Sequence, residues 1–364
     1  MYRSLLPFIR LLIPEETDPA ERLQHLLADV FYTEFIRRED NAILYYGYLG
    51  VDAEEAFARI RPRFEREGFT PMLRRFRGYD VVVAIPGVIH PRPTNPIINL
   101  LLFLATVVTT VWAGSFLAAP PRAAMDVFDP ARLLQGIPFA AALLLILGVH
   151  ELGHFFVARY HGVDVTLPYF IPVPFGLGTF GAFIQLRSPV ENRKALFDVG
   201  IAGPLAGFLV AVPLMIVGLM LSDVVPRPPR TMGASLLVRW LADWVQPHGP
   251  GEALRLHPVA LAAYIGLWVT AMNLLPVGQL DGGHVAYSAL GSAFRYVAIG
   301  MLILMLVLGW QVWQGWFIWA AFVAFTGVDH PPPLNDLTQL DLKRYALFAL
   351  AIGLFVITFV PRPF

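Results

Sequence analysis

The chain is 364 residues long, 56% hydrophobic and only 15% charged, whereas an ordinary soluble domain is about 25% charged. Its 27 Lys and Arg balance 27 Asp and Glu, so its net charge gives no reason to expect a nucleic-acid partner. It has no cysteine, which excludes disulfides and thiolate metal sites and leaves His, Asp and Glu to hold any metal.

Taken in chain order, residues 1–92 are the charged part. Leu23, Leu26, Leu27, Val30 and Phe31 recur at helical spacing, Ala42–Leu49 reads as a strand, Ala53–Glu67 as a helix, and Met72–Ile85 as two short strands around Gly78. That pattern predicts a small soluble α+β domain. Prolines at 86, 91, 93 and 96 make Pro86–Pro96 a stiff linker. Residues 15–40 are too acidic for a transit peptide, and no apolar segment ends in a cleavage site. The expected location is therefore a prokaryotic inner membrane, with the arginine-rich N-terminus cytoplasmic.

Residues 93–364 read as a multi-span α-helical membrane domain with its core at 137–292. A span needs about 20 apolar residues. Six stretches approach that: Ile97–Leu117, Ile137–Tyr160, Leu196–Leu221, Pro258–Leu275, Phe294–Val328 and Tyr345–Val360. The fifth is long enough for one spanning helix and a second buried one. Its Trp310, Trp313, Trp316 and Trp319 look like an interfacial belt. In the loop before the fourth stretch, Leu236, Leu237, Trp240, Leu241, Trp244 and Val245 form the apolar face of an amphipathic, interfacial helix.

The second stretch carries His150-Glu151-Leu152-Gly153-His154. Histidines at i and i+4 share one helix face and can grip one Zn²⁺, leaving Glu151 as general base. Ionisable side chains in hydrocarbon persist only where they are paired, metal-bound or facing a wet cavity. The fourth stretch ends in Asn273-Leu274-Leu275-Pro276-Val277-Gly278-Gln279-Leu280-Asp281-Gly282-Gly283-His284. Pro276 breaks the helix, and a carboxylate at a broken helix end can swing to a metal. Asp281 is then the third ligand beside an open water position, the alternative being a helix cap. Asn273 is expected to steady substrate or the developing oxyanion, or else to hydrogen-bond between helices. His284 is a rival ligand, read in preference as a supporting or turn residue.

With these motifs and Gly200-Ile201-Ala202-Gly203-Pro204-Leu205-Ala206-Gly207, the chain resembles the site-2 protease family of intramembrane zinc metalloproteases, its EGY-like branch in particular. The matching residues cover the second to fourth stretches. The resemblance implies one zinc per chain held by His150, His154 and Asp281, Glu151 as the base, and a transmembrane-helix protein as substrate within the lipid bilayer. Glycines at 200, 203 and 207 would press the third stretch against the metal helices, and Asp198, at the start of the third stretch, is read as its cap in preference to a proton relay. Thr179, Phe180, Gly181, Ala182 and Phe183 lie in a segment too apolar for an aqueous loop. It is read as a re-entrant β-hairpin that pairs with unwound substrate, as in the family's membrane-embedded hairpin; the alternative is a surface hairpin. Rival functions are a metal transporter or sensor, which would need a ligand chain through both leaflets, and a non-catalytic zinc-bound scaffold for helices. Neither rival should cut a substrate. The oligomeric state is not legible.

Overall fold

A computed structural model describes residues 18–88, 94–118, 129–226 and 232–363; the middle of the expected linker, residues 89–93, lies outside them. The described residues fall into two compact units.

The first unit runs α1 (Pro19–Leu27), β1 (Phe31–Glu39), β2 (Ala42–Leu49), α2 (Ala53–Arg66), β3 (Phe69–Phe76) and β4 (Tyr79–Pro86). The strands form one antiparallel sheet in the order β1-β2-β4-β3. Asp18 and Asp52 cap the two helices, accepting from the Ala20 and Glu54 amides at 3.1 and 2.9 Å. Leu23 and Leu27 of α1 and Phe57, Ile60 and Phe64 of α2 bury their apolar faces with Tyr45, Leu73 and Val82 of the sheet. Each such side chain contributes roughly 1.5–3 kcal/mol.

The helical spacing that reaches Phe31 overshoots. α1 stops at Leu27, and Phe31 opens β1 opposite Leu49. Val30 and Phe31 are buried in the same core as the helix, so their apolar spacing fits a helix without forming one. The unit also takes in Pro332–Thr338, well outside the expected 1–92. The Leu73 amide donates to the Leu334 carbonyl at 2.8 Å, the Asp336 amide to the Leu73 carbonyl at 3.1 Å, and Asn335 Nδ2 to the Ala53 carbonyl at 2.8 Å. Leu334 is buried in the core.

The second unit is helical: α3 (Pro96–Ala118), α4 (Pro130–Gln135), α5 (Ile137–Tyr160), the hairpin β5 (Tyr169–Pro172) and β6 (Thr179–Phe183), α6 (Arg193–Met220), β7 (Asp223–Pro226), α7 (Leu236–Val245), β8 (Glu252–Arg255), α8 (Pro258–Asn273), α9 (Asp281–Leu290), α10 (Phe294–Gln311), α11 (Gly315–Thr326) and α12 (Leu342–Thr358). Among the described residues, four stretches are long and apolar enough to cross a membrane: Pro96–Ala118, Ile137–Tyr160, Arg193–Met220 and Asp281–Gln311. α8 and α11 are shorter apolar helices.

The expected fifth stretch is thus two helices, α10 and α11, with a break at residues 312–314. Its tryptophans do not act as one belt. Trp310 is 85% exposed, whereas Trp316 is buried and donates from Nε1 to the Pro361 carbonyl at 2.7 Å. The apolar face of α7 is also divided. Leu241 is buried in the helical core with Leu237 and Val245 packed against it, while Leu236, Trp240 and Trp244 stay exposed.

Candidate metal centre

Two helices and a broken one build the centre. α5 carries His150 and His154 one turn apart, both buried with Glu151. α8 ends at Asn273, and the chain then turns through Pro276 and Gly278 so that Asp281 starts α9. The turn is tight: a Cβ at Gly282 would stand 2.1 Å from the Leu274 carbonyl oxygen, so no larger residue fits there.

The turn brings Asp281 to the histidines. Its Oδ2 lies 3.2 Å from His150 Nε2 and 3.3 Å from His154 Nε2, and the two nitrogens are 3.2 Å apart. With both Nε2 atoms unprotonated, three acceptors converging this closely are unfavourable unless a proton or a metal cation lies between them. Zn–N and Zn–O bonds are about 2.0–2.1 Å, which sets tetrahedral ligand atoms roughly 3.3 Å apart. The triangle therefore has the size of one zinc tetrahedron's face. Among the described residues this is the one His, Asp and Glu cluster with metal-ligand spacing.

The surroundings orient these ligands. His154 Nδ1 donates to the Val199 carbonyl of α6 at 2.7 Å, which leaves Nε2 as the nitrogen with a free lone pair. A Cβ on Gly203 would sit 2.0 Å from His154 Nε2, so the glycine keeps open the space into which the histidine points. Asn273 Nδ2 stands 3.2 Å from His150 Nε2. The Glu151 carboxylate meets the Ile184 backbone amide, one residue beyond β6.

The expected residues are not all used as anticipated. His284 is outside the triangle; its Nδ1 is hydrogen-bonded to His330 Nε2 at 2.5 Å. His330 in turn stacks on Tyr287 with centroids 4.7 Å apart. Asp198 is not a cap, because Asn192 caps α6 by accepting from the Ala195 amide at 2.9 Å. Asp198 instead accepts from His161 Nε2 at 2.9 Å and Arg344 Nε at 2.8 Å. Thr179, Phe180 and Gly181 line a cavity shared with Asn273. Ala182 packs into the helical core, and Phe183 stacks on Tyr169. Sequence reasoning missed Val199, Ile184 and His330. Two of these act through backbone atoms, which leave no mark on side-chain chemistry.

A model of peptidase family M50 matches residues 138–308, which include all three ligand candidates. The chain is 30% identical over 412 residues to the probable zinc metalloprotease EGY1, chloroplastic, of Arabidopsis thaliana, covering 97% of this chain and 73% of that one. The EGY1 protein of Oryza sativa subsp. japonica is likewise 30% identical, over 97% of this chain and 69% of its own. The Arabidopsis EGY2 protein is 29% identical over 97% and 66%. No solved structure matches significantly.

These relatives are named as chloroplastic plant proteins, which overturns the expected prokaryotic inner membrane with a cytoplasmic N-terminus. What stands is a membrane location. Zinc is the cofactor that the relatives' names carry, and the triangle of His150, His154 and Asp281 suits it. Alignment with these relatives along 97% of its length, and a family match that encloses its zinc-sized donor set, establish that the chain belongs to peptidase family M50, the site-2 proteases, and is an intramembrane zinc metalloprotease.

Proposed function

We propose that the enzyme cuts transmembrane segments of membrane-protein substrates inside the bilayer, with His150, His154 and Asp281 holding one zinc and Glu151 as general base. The approach of the three ligand atoms to 3.2–3.3 Å carries the reading. Bound there, zinc would lower the pKa of a water toward about 7 and polarise the scissile carbonyl. The Glu151 carboxylate takes a proton from the attacking water and returns it to the departing amine nitrogen. The Asn273 amide donates to the carbonyl oxygen as it gathers charge, a role supported by its Nδ2 standing 3.2 Å from His150 Nε2. The Val199 carbonyl holds the His154 ring in one tautomer and orientation.

A helical substrate hides its scissile carbonyl in an i to i−4 hydrogen bond, so it must be extended before attack. The β5–β6 hairpin supplies a template. It is seated on α3: Thr109 Oγ1 donates to the Gly178 carbonyl at 2.7 Å, and Asn99 Nδ2 to the Leu167 carbonyl at 2.8 Å. Thr109 lies mid-way along α3, which supports a re-entrant hairpin at membrane depth, where irregular backbone persists only against protein or a cavity. Substrate added as a strand along Thr179–Phe183 lies close to Glu151. In this reading six helical segments span: α3, α5, α6, α8, α9 with α10, and α12. Residues 1–92 are soluble with a linker, and 93–364 form the catalytic membrane domain around 137–292.

The test uses Glu151→Gln, reconstituted with a single-span substrate. The variant is expected to keep zinc and lose cleavage. Cleavage at the wild-type rate would remove Glu151 from the mechanism.

A further inference from the structure

A cavity of about 330 Å³ adjoins the metal centre, walled by α5, β6, α8 and α11. Asn273 belongs to both: it lines the cavity and stands 3.2 Å from His150 Nε2. Leu147, three residues before that histidine, lines it from α5, Trp268 and Val269 from α8 and Trp319 from α11. An apolar cavity of about 150 Å³ already accepts a benzene ring, so this one has room for any single apolar side chain. Its walls are mostly apolar and carry no charged side chain, with Asn273, Thr179, Trp268 and Trp319 the residues whose side chains bear polar groups.

The remaining wall is β6. Among the described residues β6 pairs with no strand but β5; at its other edge the Gly181 amide donates to Thr179 Oγ1 at 3.0 Å, and that hydroxyl donates to the Gly181 carbonyl at 3.1 Å, local bonds that a further strand would have to replace. Thr179 and Gly181, two residues apart on that strand, both line the cavity. At Gly181 (φ +103°) nothing lies within 4 Å of where a Cβ would be. A segment laid along β6 points every second side chain to the same face. One of those side chains meets the cavity, while the backbone beside it runs toward Ile184 and Glu151.

Resting on the proteolytic reading above, we infer that this cavity is the specificity pocket of the enzyme. It takes one large apolar side chain of the extended substrate, of Phe, Leu or Met type, beside the bond to be cut. Val269 and Trp319 set its size. The pocket therefore selects cleavage sites by bulk, and segments presenting only small residues at that position are poor substrates.

The experiment uses the full-length, zinc-loaded enzyme in lipid vesicles and single-span substrates in which each residue flanking the cleaved bond is set in turn to Ala, Leu or Phe. One methylene in an apolar pocket discriminates by about 10-fold or more. At one flanking position the wild type is expected to cut Leu or Phe at least about 10-fold faster in kcat/KM than Ala. Val269→Phe fills the cavity and is expected to reverse that order. Val269→Ala and Trp319→Ala enlarge it and are expected to extend the preference to Trp. The two kinds of variant shift selectivity in opposite directions, so a folding defect in either cannot imitate the pattern. Cleavage by wild type and variants with the same ratios among substrates overturns the pocket alone, and leaves the cavity as a space for lipid chains. No cleavage of any substrate by the wild type overturns the proteolytic reading, and the pocket with it.

Discussion

His154 and Val199 are joined by a 2.7 Å hydrogen bond from the ring Nδ1 to the backbone carbonyl. The bond ties α5 to α6 and leaves Nε2 as the ring nitrogen that faces His150 and Asp281. Because the acceptor is main chain, its position depends on how closely the two helices pack. A Cβ on Gly153 would come 2.7 Å from the Ala202 carbonyl oxygen. Small residues on both helices thus permit the approach that the histidine needs.

Gly203→Ala tests this packing. The added methyl would stand 2.0 Å from His154 Nε2, so either the ring or the helix must move. Altered support around a zinc ligand typically costs about 10–100-fold in metal affinity, and a direct clash costs at least as much. Competition with a chelator of known affinity is expected to strip zinc from the variant at concentrations the wild type withstands. Equal retention would show that the ring has room that the geometry denies it.

Asn273→Ala separates binding from chemistry. If the amide stabilises the developing oxyanion, kcat falls by roughly 10²–10³-fold, with zinc content unchanged. If Asn273 only links helices, melting temperature falls and kcat per folded enzyme does not. Steady-state kinetics beside zinc analysis and a melting curve distinguish the two.

His330 predicts a pH effect. Burial holds its imidazole neutral down to about pH 3, against an ordinary value near 6.5. The unfolded chain therefore binds a proton between those values that the folded chain refuses. This residue's contribution to stability is present above about pH 6.5 and is lost as pH falls below it. Melting temperature in detergent should drop from about pH 7 to about pH 5, and His330→Gln should flatten part of that drop. An unchanged slope in the variant would contradict the assignment. At each pH the variant should hold as much zinc as the wild type, since His330 and its partner His284 lie outside the ligand triangle.

Leu334→Ala tests the segment that completes the first unit. Leu334 is 3% exposed in a core with Leu73 and Phe57, and emptying such a site costs about 2–5 kcal/mol. Amide exchange should rise at Leu73, whose N–H donates to the Leu334 carbonyl. Unchanged protection there would mean the segment adds nothing to that sheet.

The candidate metal centre was legible because its chemistry is local or announces itself. Histidines four apart on a helix share a face whatever the tertiary fold, and Pro276 with Gly282 and Gly283 marks where the next segment must break and turn. The preferred reading of His284 as a supporting or turn residue could not name its partner, since His330 is brought to it only by the folding of the chain after α9. β1 was hidden for a different reason. Val30 and Phe31 bury into the same core as α1, so apolar spacing alone could not say where the helix stopped. In Pro332–Thr338, Leu334 and Asp336 bracket Leu73 of β3 with two backbone hydrogen bonds, a contact that exists only in three dimensions and leaves no periodicity in the sequence. The location was misjudged because acidity near the N-terminus was read as an address, a signal that composition carries only weakly.

X-ray absorption at the zinc edge, with zinc content of the purified enzyme, tests the central claim most directly. The account predicts one zinc per chain with two imidazole nitrogens and carboxylate oxygen at about 2.0–2.1 Å. Replacing any one of His150, His154 and Asp281 by Ala should reduce bound zinc under a chelator that the wild type resists. A spectrum with one imidazole, or full zinc retention in all three variants, would contradict it.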